Sequence, residues 1–377
     1  WAGIPLLDGS FVSRSFQIGA GADQAVTVTQ ASMKPGDIGQ HVFDTTAVAA
    51  AAATAATNTV NDTAISVLGK GGSAEAAYSA GSSAAQVAAA VNADTPTTGV
   101  KATAHTAVRF TLSGDPTSQT SFTLRGGGSA VTITTTVTDN ADLTSLMTTI
   151  NAFSGTSGVT AEFDGTDKSK LIFREADGDN ITISNFSATT ASGATAITAA
   201  IEKQSNFSGT AWATGVTLTS DISTGAGAGT DSTVVTGIVR MSSTEAFSVS
   251  GFGTDATLGY NGTSDTAAST LSKVSNISIS TQAGAAASLG VIDTALTSVN
   301  SSRAKLGAVS NRLEMTVTNL TNIVTNLAAG RGRIEDADFA AESTELARTQ
   351  ILQQASMAML SQANASKQSV MSLLQGR

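Results

Sequence analysis

The side chains that could support catalysis or metal binding are few and scattered along this chain. The 377 residues contain no cysteine, which excludes disulfides, thiol catalysis and cysteine-zinc sites. The histidines are His41 and His105, which lie on either side of an alanine-rich stretch, and no HExxH motif occurs. We therefore expect two surface histidines rather than a metal site, no cofactor and no enzymatic activity.

Two short motifs have the composition of ligand loops but lack the full spacing. Asp177-Gly178-Asp179-Asn180 is rich in oxygen ligands, yet the complete cation-loop pattern with a terminal glutamate is missing. Gly126-Gly127-Gly128 is not followed by the lysine and hydroxyl residue of a phosphate loop. The first motif predicts a turn, and the second predicts a flexible hairpin tip.

Charge and hydropathy exclude two classes of partner. The net charge of −9 argues against nucleic-acid binding, which usually requires a basic surface. No run of about 18 apolar residues occurs, so we expect no membrane insertion. No secretory signal peptide opens the chain.

The strongest pattern in the chain is a heptad repeat near the C-terminus. One heptad position is apolar without a gap, at Ile292, Val299, Leu306, Leu313, Leu320 and Leu327. Its partner position is apolar at Leu289, Leu296, Val317 and Val324, with interruptions at Arg303 and Ser310. A sustained repeat of about 3.5 residues is typical of a coiled-coil seam, so the pattern predicts a helix of about 55–60 Å that packs against another long helix. That helix lies on another chain or in a segment that this chain lacks, and the seam could serve either packing within a subunit or contact between subunits.

A second helix is predicted after this one. Ala328-Ala329-Gly330 indicates a helix stop, Arg331-Gly332-Arg333 begins a connector, and the second helix extends from about Phe339 to Leu374. Its apolar positions include Phe339, Leu346, Ile351, Leu352, Met359, Leu360, Val370 and Leu374. Because residues 349–366 carry no charge, we expect this helix to pack against neighbours.

The middle of the chain contains an internal repeat. Val91-Asn92-Ala93 matches Ile150-Asn151-Ala152, and Thr98–Ala102 matches Ser157–Ala161, both at an offset of 59 residues. Apolar residues upstream of each match fall on one helical face, and strand patterns follow each match. The predicted strands are Thr106–Leu112 and Ser121–Arg125 in the first copy, and Ser169–Phe173 and Asn180–Asn185 in the second. We interpret residues of about 63–125 and 126–186 as tandem α+β modules.

The remaining patterns predict strands, turns and one ambiguous segment. Alternating residues predict strands at Phe16–Gly19, Ala25–Val28, Val216–Thr219, Val234–Met241, Phe247–Ser250 and Ile277–Ile279. Pro35-Gly36 predicts a turn, and Gly225–Gly229 and Gly259–Ser264 predict loops. Thr45–Ala56 predicts a short helix or a linker. The fold class is therefore multidomain, with a long α-helical coiled-coil C-terminal core plus α+β and mainly β outer domains.

The C-terminal helices also carry a dense series of short motifs. They are Leu306-Gly307-Ala308-Val309-Ser310-Asn311-Arg312-Leu313-Glu314, Asn319-Leu320, Asn326-Leu327, Arg333-Ile334-Glu335-Asp336-Ala337-Asp338-Phe339-Ala340, Gln350-Ile351-Leu352-Gln353-Gln354-Ala355, Gln362-Ala363-Asn364 and Ser372-Leu373-Leu374-Gln375. In this order the series resembles the C-terminal signature of bacterial flagellins, over roughly the last 90 residues. Leu6–Phe11 with Phe16–Gly19 resembles the end of the conserved N-terminal half, which implies that most of that half is absent. The repeated modules resemble insertions in flagellin variable regions.

The resemblance implies a domain organisation and an assembly role. It assigns residues 1–45 to the end of the N-terminal core-shell region, 46–200 to the variable outer region and 201–280 to a Ser/Thr/Gly-rich β outer region. Residues 281–330 would form the long helix of the shell domain, and 331–377 the spoke and the inner-tube helix. The implied assembly residues are Leu306, Leu313, Leu320, Leu327, Arg333, Phe339, Ile351, Leu352, Met359, Leu360 and Leu374.

The function implied is that of a structural subunit that polymerises by helix packing into an extracellular filament for motility. Export without a cleaved signal peptide is implied, with the same chain, an export chaperone, and cap and junction proteins as partners. A glycan or host receptor is a further candidate partner, for which Tyr78, Trp212 and Tyr260 are the aromatic candidates. The open alternatives are a cell-surface adhesin or polysaccharide-binding flagellin-like protein, and a hook–filament junction protein.

Overall fold

The chain divides into two compact units. The structure, a computed structural model, describes residues 5–19, 24–60, 64–114, 118–190, 197–220, 230–251, 266–279 and 282–376. The terminal unit comprises Trp1–Leu6, Ser10–Ala31 and Arg303–Arg377. The central unit comprises Leu7–Gly9 and Ser32–Ser302.

Strands make up most of the described chain before one long C-terminal helix. The strands are β1 (Arg14–Gln17), β2 (Ala25–Val28), β3 (Gly39–Asp44), β4 (Val48–Ala49), β5 (Ala64–Leu68), β6 (Ser73–Ala77), β7 (Lys101–Ser113), β8 (Ser118–Arg125), β9 (Val131–Val137), β10 (Thr160–Asp164), β11 (Asp167–Glu175), β12 (Ile181–Thr190), β13 (Thr198–Gln204), β14 (Trp212–Thr219), β15 (Thr233–Thr236), β16 (Ile238–Ser243), β17 (Ser248–Ser250), β18 (Thr266–Ala268) and β19 (Thr270–Lys273). The α-helices are α1 (Ala84–Ala93), α2 (Thr95–Thr98), α3 (Thr144–Ala152), α4 (Ser154–Ser157) and α5 (Gln282–Leu374).

The terminal unit contains a hairpin and the larger part of α5. β1 and β2 pair antiparallel, with Phe16 opposite Val26. The inward residues Phe11, Val26 and Val28 form a small buried cluster, against which Val309 of α5 packs. β2 confirms the strand predicted at Ala25–Val28, whereas β1 overlaps the strand predicted at Phe16–Gly19 only at Phe16 and Gln17.

One continuous helix replaces the two that the sequence predicts. α5 passes through Gly330 and through the whole predicted connector, residues 331–338. The predicted stop at Ala328-Ala329-Gly330 and the predicted second start near Phe339 are therefore wrong. A glycine inside a helix costs only about 1 kcal/mol relative to alanine, and no proline interrupts this stretch. Arg331 also pairs with Glu335 one turn later, at 3.3 Å, which favours the helix.

The described strands of the central unit form three sheets. The largest has the order β10-β11-β7-β16-β3-β19, with β13 also paired to β7 and β14 paired to β13. The other two have the orders β4-β15-β12-β8-β9 and β18-β17-β5-β6. The larger core contains side chains such as Phe110, Phe122, Phe173 and Ile150, from the first two sheets and α3. The smaller core contains side chains of β5, β16, β17 and α1.

The two copies of the repeat have the same local structure but are not separate domains. In each, a helix is followed by one helical turn, a left-handed glycine (Gly99 or Gly158) and a strand. The strands of the two copies pair with one another, since β7 lies beside β11 with Phe110 opposite Leu171. The two copies are therefore not independent modules, because β7 shares a sheet with β10 and β11, and β8 shares another with β9 and β12. The four predicted strands nevertheless overlap β7, β8, β11 and β12.

The repeated asparagines explain why the motif recurs. The Asn92 side-chain amide donates to the carbonyl of Ala102 and accepts from its N–H, both at 2.8 Å. Asn151 makes the same two bonds with Ala161, also at 2.8 Å. Ala161 lies on the edge strand β10, so the asparagine takes the place of a neighbouring strand. The sequence match at an offset of 59 residues thus reflects two equivalent asparagine clamps, in which the asparagine side chain bonds to the backbone of the strand.

The alanine-rich segment Thr45–Ala56 is extended, so the predicted helix is wrong. Val48–Ala49 pairs with β15, and Ala53 forms a bridge with Ser232. Ala47 and Ala50 are buried, because small side chains allow the segment to lie close against the sheet.

Most other predicted strands are confirmed. Val216–Thr219 falls in β14, Val234–Met241 spans β15 and β16, and Phe247–Ser250 overlaps β17. The strand predicted at Ile277–Ile279 is wrong, since β19 already occupies the edge beside β3 and a 3-10 turn at Val274–Asn276 follows. The loops predicted at Gly225–Gly229 and Gly259–Ser264, and the candidate Tyr260, lie outside the described residues.

Candidate functional site

An apolar stripe of α5 remains exposed beside the face that packs within the chain. In the central unit the helix buries Ser288, Val291 and Ala295. Leu289, Ile292 and Leu296, the predicted seam positions, are exposed. The contacts within the chain therefore use positions one residue before the seam, and the seam itself is left uncovered.

In the terminal unit the first part of the predicted seam is half-buried and the later part is exposed. Leu306, Leu313 and Leu320 are half-buried, on the side of the helix where Val309 contacts the hairpin cluster. Leu327 is exposed, as are Val317 and Val324 at the partner position. A seam partner is therefore not provided by the described residues of this unit.

The C-terminal part of α5 exposes every predicted assembly residue whose side chain is described. These are Arg333, Phe339, Ile351, Leu352, Met359, Leu360 and Leu374. The exposed fraction reaches 78% for Phe339 and 80% for Leu374. The structure places these residues along one helix without bringing them together in a pocket. Large apolar side chains exposed in such number mark an interaction surface.

The histidines are not the surface residues that the sequence predicts. His41 in β3 and His105 in β7 are both half-buried, because both lie in strands flanking β16. His105 Nε2 lies 3.1 Å from Gln204 Oε1, and its ring meets Phe207 edge-on at 4.4 Å between centroids. Burial lowers the pKa of His105, so the ring is neutral near pH 7. Among the described residues, no group of three or more histidine or acidic side chains could hold a metal ion.

The protonated nitrogen of His105 follows from its neighbour. Gln204 Nε2 donates to the carbonyl of Asn206 at 2.7 Å, which turns its Oε1 toward the histidine. A neutral imidazole facing an oxygen acceptor must donate, so Nε2 carries the proton and Nδ1 is an acceptor.

His105 lines a cleft of about 400 Å³ in the central unit. The lining residues are His105, Thr106, Gly158, Thr160, Arg174, Glu175, Ala176, Phe207, Ser208, Gly209, Ala286 and Ala287. The guanidinium of Arg240 lies over the Phe207 ring at 4.2 Å and is held by two bonds to Asp44, at 2.7 and 2.6 Å. Arg174 pairs with Glu162. Sequence reasoning missed this cleft, because its residues come from distant strands and no local motif marks them.

The acidic motif forms a turn, as predicted. The buried Glu175 carboxylate accepts from the N–H groups of Asp177 at 3.3 Å and Asp179 at 2.6 Å. Its burial raises its pKa above the usual range. Asp179 in turn accepts from the hydroxyl of Ser83, the N-cap of α1, at 3.0 Å. The motif therefore fixes the start of α1.

The glycine motif is a hairpin tip between β8 and β9, but it is held by the protein. The N–H of Gly126 donates to Ser157 at 2.8 Å, and that of Ser129 donates to Thr156 at 2.8 Å. A Cβ on Gly128 would lie 2.1 Å from the Thr156 carbonyl oxygen. The predicted flexibility is wrong, since the glycines allow the tip to pack against α4.

Comparisons with known proteins agree on one family. A family model described as the bacterial flagellin C-terminal helical region matches residues 289–374, and one described as the flagellin hook IN motif matches residues 64–115. The B-type flagellin of Pseudomonas aeruginosa is 34% identical over 377 residues, covering 99% of this chain and 73% of the relative. Flagellin A of Vibrio cholerae is 43% identical over 129 residues, covering 34% of this chain and 33% of the relative. Flagellin A of Vibrio anguillarum is 47% identical over 102 residues, covering 27% of each.

The longest of these matches runs from end to end of the described fold and includes both α5 and the central unit. Over the described residues, no helix has the length and hydrophobicity of a membrane span. The chain belongs to the bacterial flagellin family.

Proposed function

We propose that this chain is a structural, non-enzymatic subunit of the bacterial flagellar filament and polymerises through helix packing for motility. The observation that carries the proposal is the apolar stripe of α5, which is exposed at Leu289–Leu296 and from Val324 to Leu374. The names of the flagellin relatives support it. Burial of apolar area is favourable by about 25 cal/mol per Å², part of which offsets the entropic cost of association, so this stripe would be the main favourable contribution to assembly.

Within this proposal, different parts of the chain have different roles. Residues 281–330 form the long helix of the shell, and 331–377 form the spoke and the inner-tube helix. In the single chain α5 is continuous through Gly330 and Gly332, so within this proposal a separate spoke forms only on assembly. Residues 1–45 close the N-terminal shell region, and 46–280 project outward.

The proposal includes partners and a location. The main partner is a second copy of this chain in a helical array, outside the cell. An export chaperone, cap proteins and junction proteins are expected to contact the same α5 stripe before or at the ends of assembly.

A charge in the stripe tests the proposal. Leu327→Asp should block elongation from filament seeds, because Leu327 is exposed in the single chain and assembly would bury an unpaired carboxylate there. Thr318→Asp is the matched control, since Thr318 is exposed on the same helix and its hydroxyl bonds only to the Glu314 carbonyl. Elongation is measured by light scattering and electron microscopy.

The two variants separate the candidate functions. Normal elongation of the Leu327→Asp protein would refute assembly through this stripe. A wild-type chain that caps seeds without extending them would favour a hook–filament junction protein. A chain that ignores seeds would favour a cell-surface adhesin.

A further inference from the structure

We infer that strand β9 is an interaction surface for a second copy of this chain, with which it pairs antiparallel about a two-fold axis through Thr134. β9 is the last strand of the sheet β4-β15-β12-β8-β9, so its edge away from β8, here called the free edge, has no strand partner in the described chain. The pairing joins two five-stranded sheets into one. β9 belongs to the central unit and not to the stripe of α5, so the inference does not rest on the proposed function.

The free edge presents backbone groups that are available for hydrogen bonds. β9 pairs with β8 in unbroken register, and in an antiparallel strand the N–H and C=O groups of alternate residues point to opposite edges. The carbonyl of Thr136 accepts from the hydroxyl of Ser145 at 3.3 Å, which places this carbonyl at the free edge together with the backbone groups of Thr132 and Thr134. The backbone groups of Thr132 and Thr134 have no hydrogen-bond partner among the described residues.

The other edge strands that the structure describes in the central unit have features that hinder pairing, and β9 has none of them. β6, β10 and β19 contain charged side chains, and β4 and β18 have only two and three residues. The register of β13 with β14 shifts between Ile201 and Lys203. Charged side chains, short length and bulges are common means of protecting an edge. β9 has seven residues, no charge, no proline and no register shift, so it can accept a strand.

The sequence of β9 favours its own copy as that strand. Val131–Val137 reads V-T-I-T-T-T-V, which is symmetric about Thr134 except at one pair of positions. Two-fold pairing therefore places Thr132 opposite Thr136 of the second copy, and Thr134 opposite its equivalent. Threonine pairs are favourable neighbours across strands, and neither strand carries a charge that would oppose a like charge. Such a contact is self-complementary and closes after two copies.

The core of the central unit does not change on this pairing. Ile133 and Val137 point inward and pack with Leu146 and Ile150 of α3, whereas the threonines at positions 132, 134 and 136 are exposed on the other face. Among the described bonds, the pairing displaces the one from Ser145, whose side chain is exposed and can turn to water. One pair of strands is a small interface, so free chains associate weakly, and chains held side by side associate more strongly.

Cysteine cross-linking of the full chain tests this register, because the chain contains no cysteine of its own. In Thr134→Cys the two cysteines would be directly opposed, with Cα atoms about 5.5 Å apart, which is within disulfide range. In Thr132→Cys the residue would lie about 14 Å along the strand from its equivalent, which is beyond that range. Under a mild oxidant Thr134→Cys should therefore form dimers at least about tenfold faster than Thr132→Cys or Thr136→Cys alone, on non-reducing gels.

A mixture provides a second test of the same register. Thr132→Cys and Thr136→Cys mixed in equal amounts should cross-link quickly and give mixed dimers by mass spectrometry, because these two positions are opposed. Adding Thr134→Lys to both chains should slow this reaction several-fold, since two like charges would then be neighbours. Thr217→Lys is the matched control, at an exposed threonine of β14, and should leave the rate unchanged.

The pattern of rates separates this pairing from other association. Contacts through α5 would raise the rates of all the cysteine variants alike, so they cannot produce a preference for one register. The inference is overturned if Thr134→Cys cross-links no faster than Thr132→Cys alone, or if the mixture gives no excess of mixed dimers. Equal slowing by Thr134→Lys and Thr217→Lys would also contradict it.

Discussion

Removing the asparagine clamp of the second repeat should destabilise the central unit by about 1–3 kcal/mol. In Asn151→Ala the protein loses two hydrogen bonds of 2.8 Å to Ala161, each worth about 0.5–1.5 kcal/mol net. Because β10 is an edge strand, no other strand takes over the N–H and C=O of Ala161. The Asn151 side chain is partly exposed, so water replaces some of the loss and the lower half of the range is expected.

The first repeat supplies an internal replicate of that experiment. Asn92→Ala removes the same pair of bonds from Ala102 and should cost a similar free energy. Urea unfolding followed by Trp212 fluorescence measures both, as a lower midpoint with an unchanged slope. Asn319→Ala, on the exposed side of α5, is the control and should leave the midpoint unchanged. The clamp argument fails if both clamp variants unfold within about 0.3 kcal/mol of wild type.

Three further predictions concern packing, pH and the C-terminal helix. Gly128→Ala should lower the melting temperature of the central unit by several degrees because its Cβ would clash with Thr156, whereas Gly155→Ala meets open space and should not; equal melting would contradict this. The pKa of His105 is lowered in the folded chain, so as the pH falls the unfolded chain takes up this proton first. The free energy of unfolding should therefore fall as the pH drops below about 6.5. His105→Gln should reduce this pH dependence in urea titrations, and an unchanged pH dependence would refute the argument. Residues 339–374 should exchange amide hydrogens rapidly in the monomer, because their exposed side chains lack packing partners in the described chain; protection equal to that of β7 would count against this.

Local patterns predicted the strands and the repeat well, because those signals depend on near neighbours. The alternation at Ala25–Val28 predicts a half-buried strand, whichever strand it pairs with. The sequence match between Asn92 and Asn151 indicated that the two residues hold equivalent positions in the two copies. The pairing between the copies could not be predicted, because the partners of β7 come from residues far along the chain.

The wrong predictions arise where context outweighs a local preference. Gly330 favours a helix end but does not enforce one when good helix formers flank it. The alanines of residues 45–56 favour a helix, yet their small size lets them lie against β15 instead. His105 was predicted to lie on the surface and Gly126 in a flexible tip, whereas contacts with β13 and α4 bury them.

The assembly residues of α5 illustrate a further limit. The heptad predicted which residues form an apolar stripe, and the stripe is present. A single chain leaves Leu327 and Phe339 exposed, so their contacts remain a proposal that requires an assembled filament.

Electron microscopy of seeded assembly tests the central claim most directly. The chain would be supplied with the segment of the Pseudomonas flagellin that lies outside the match and would be seeded with filament fragments. Filament assembly predicts hollow filaments, with α5 inside and the central unit projecting outward. A product that remains monomeric, or filaments in which α5 lies on the outer surface, would contradict it.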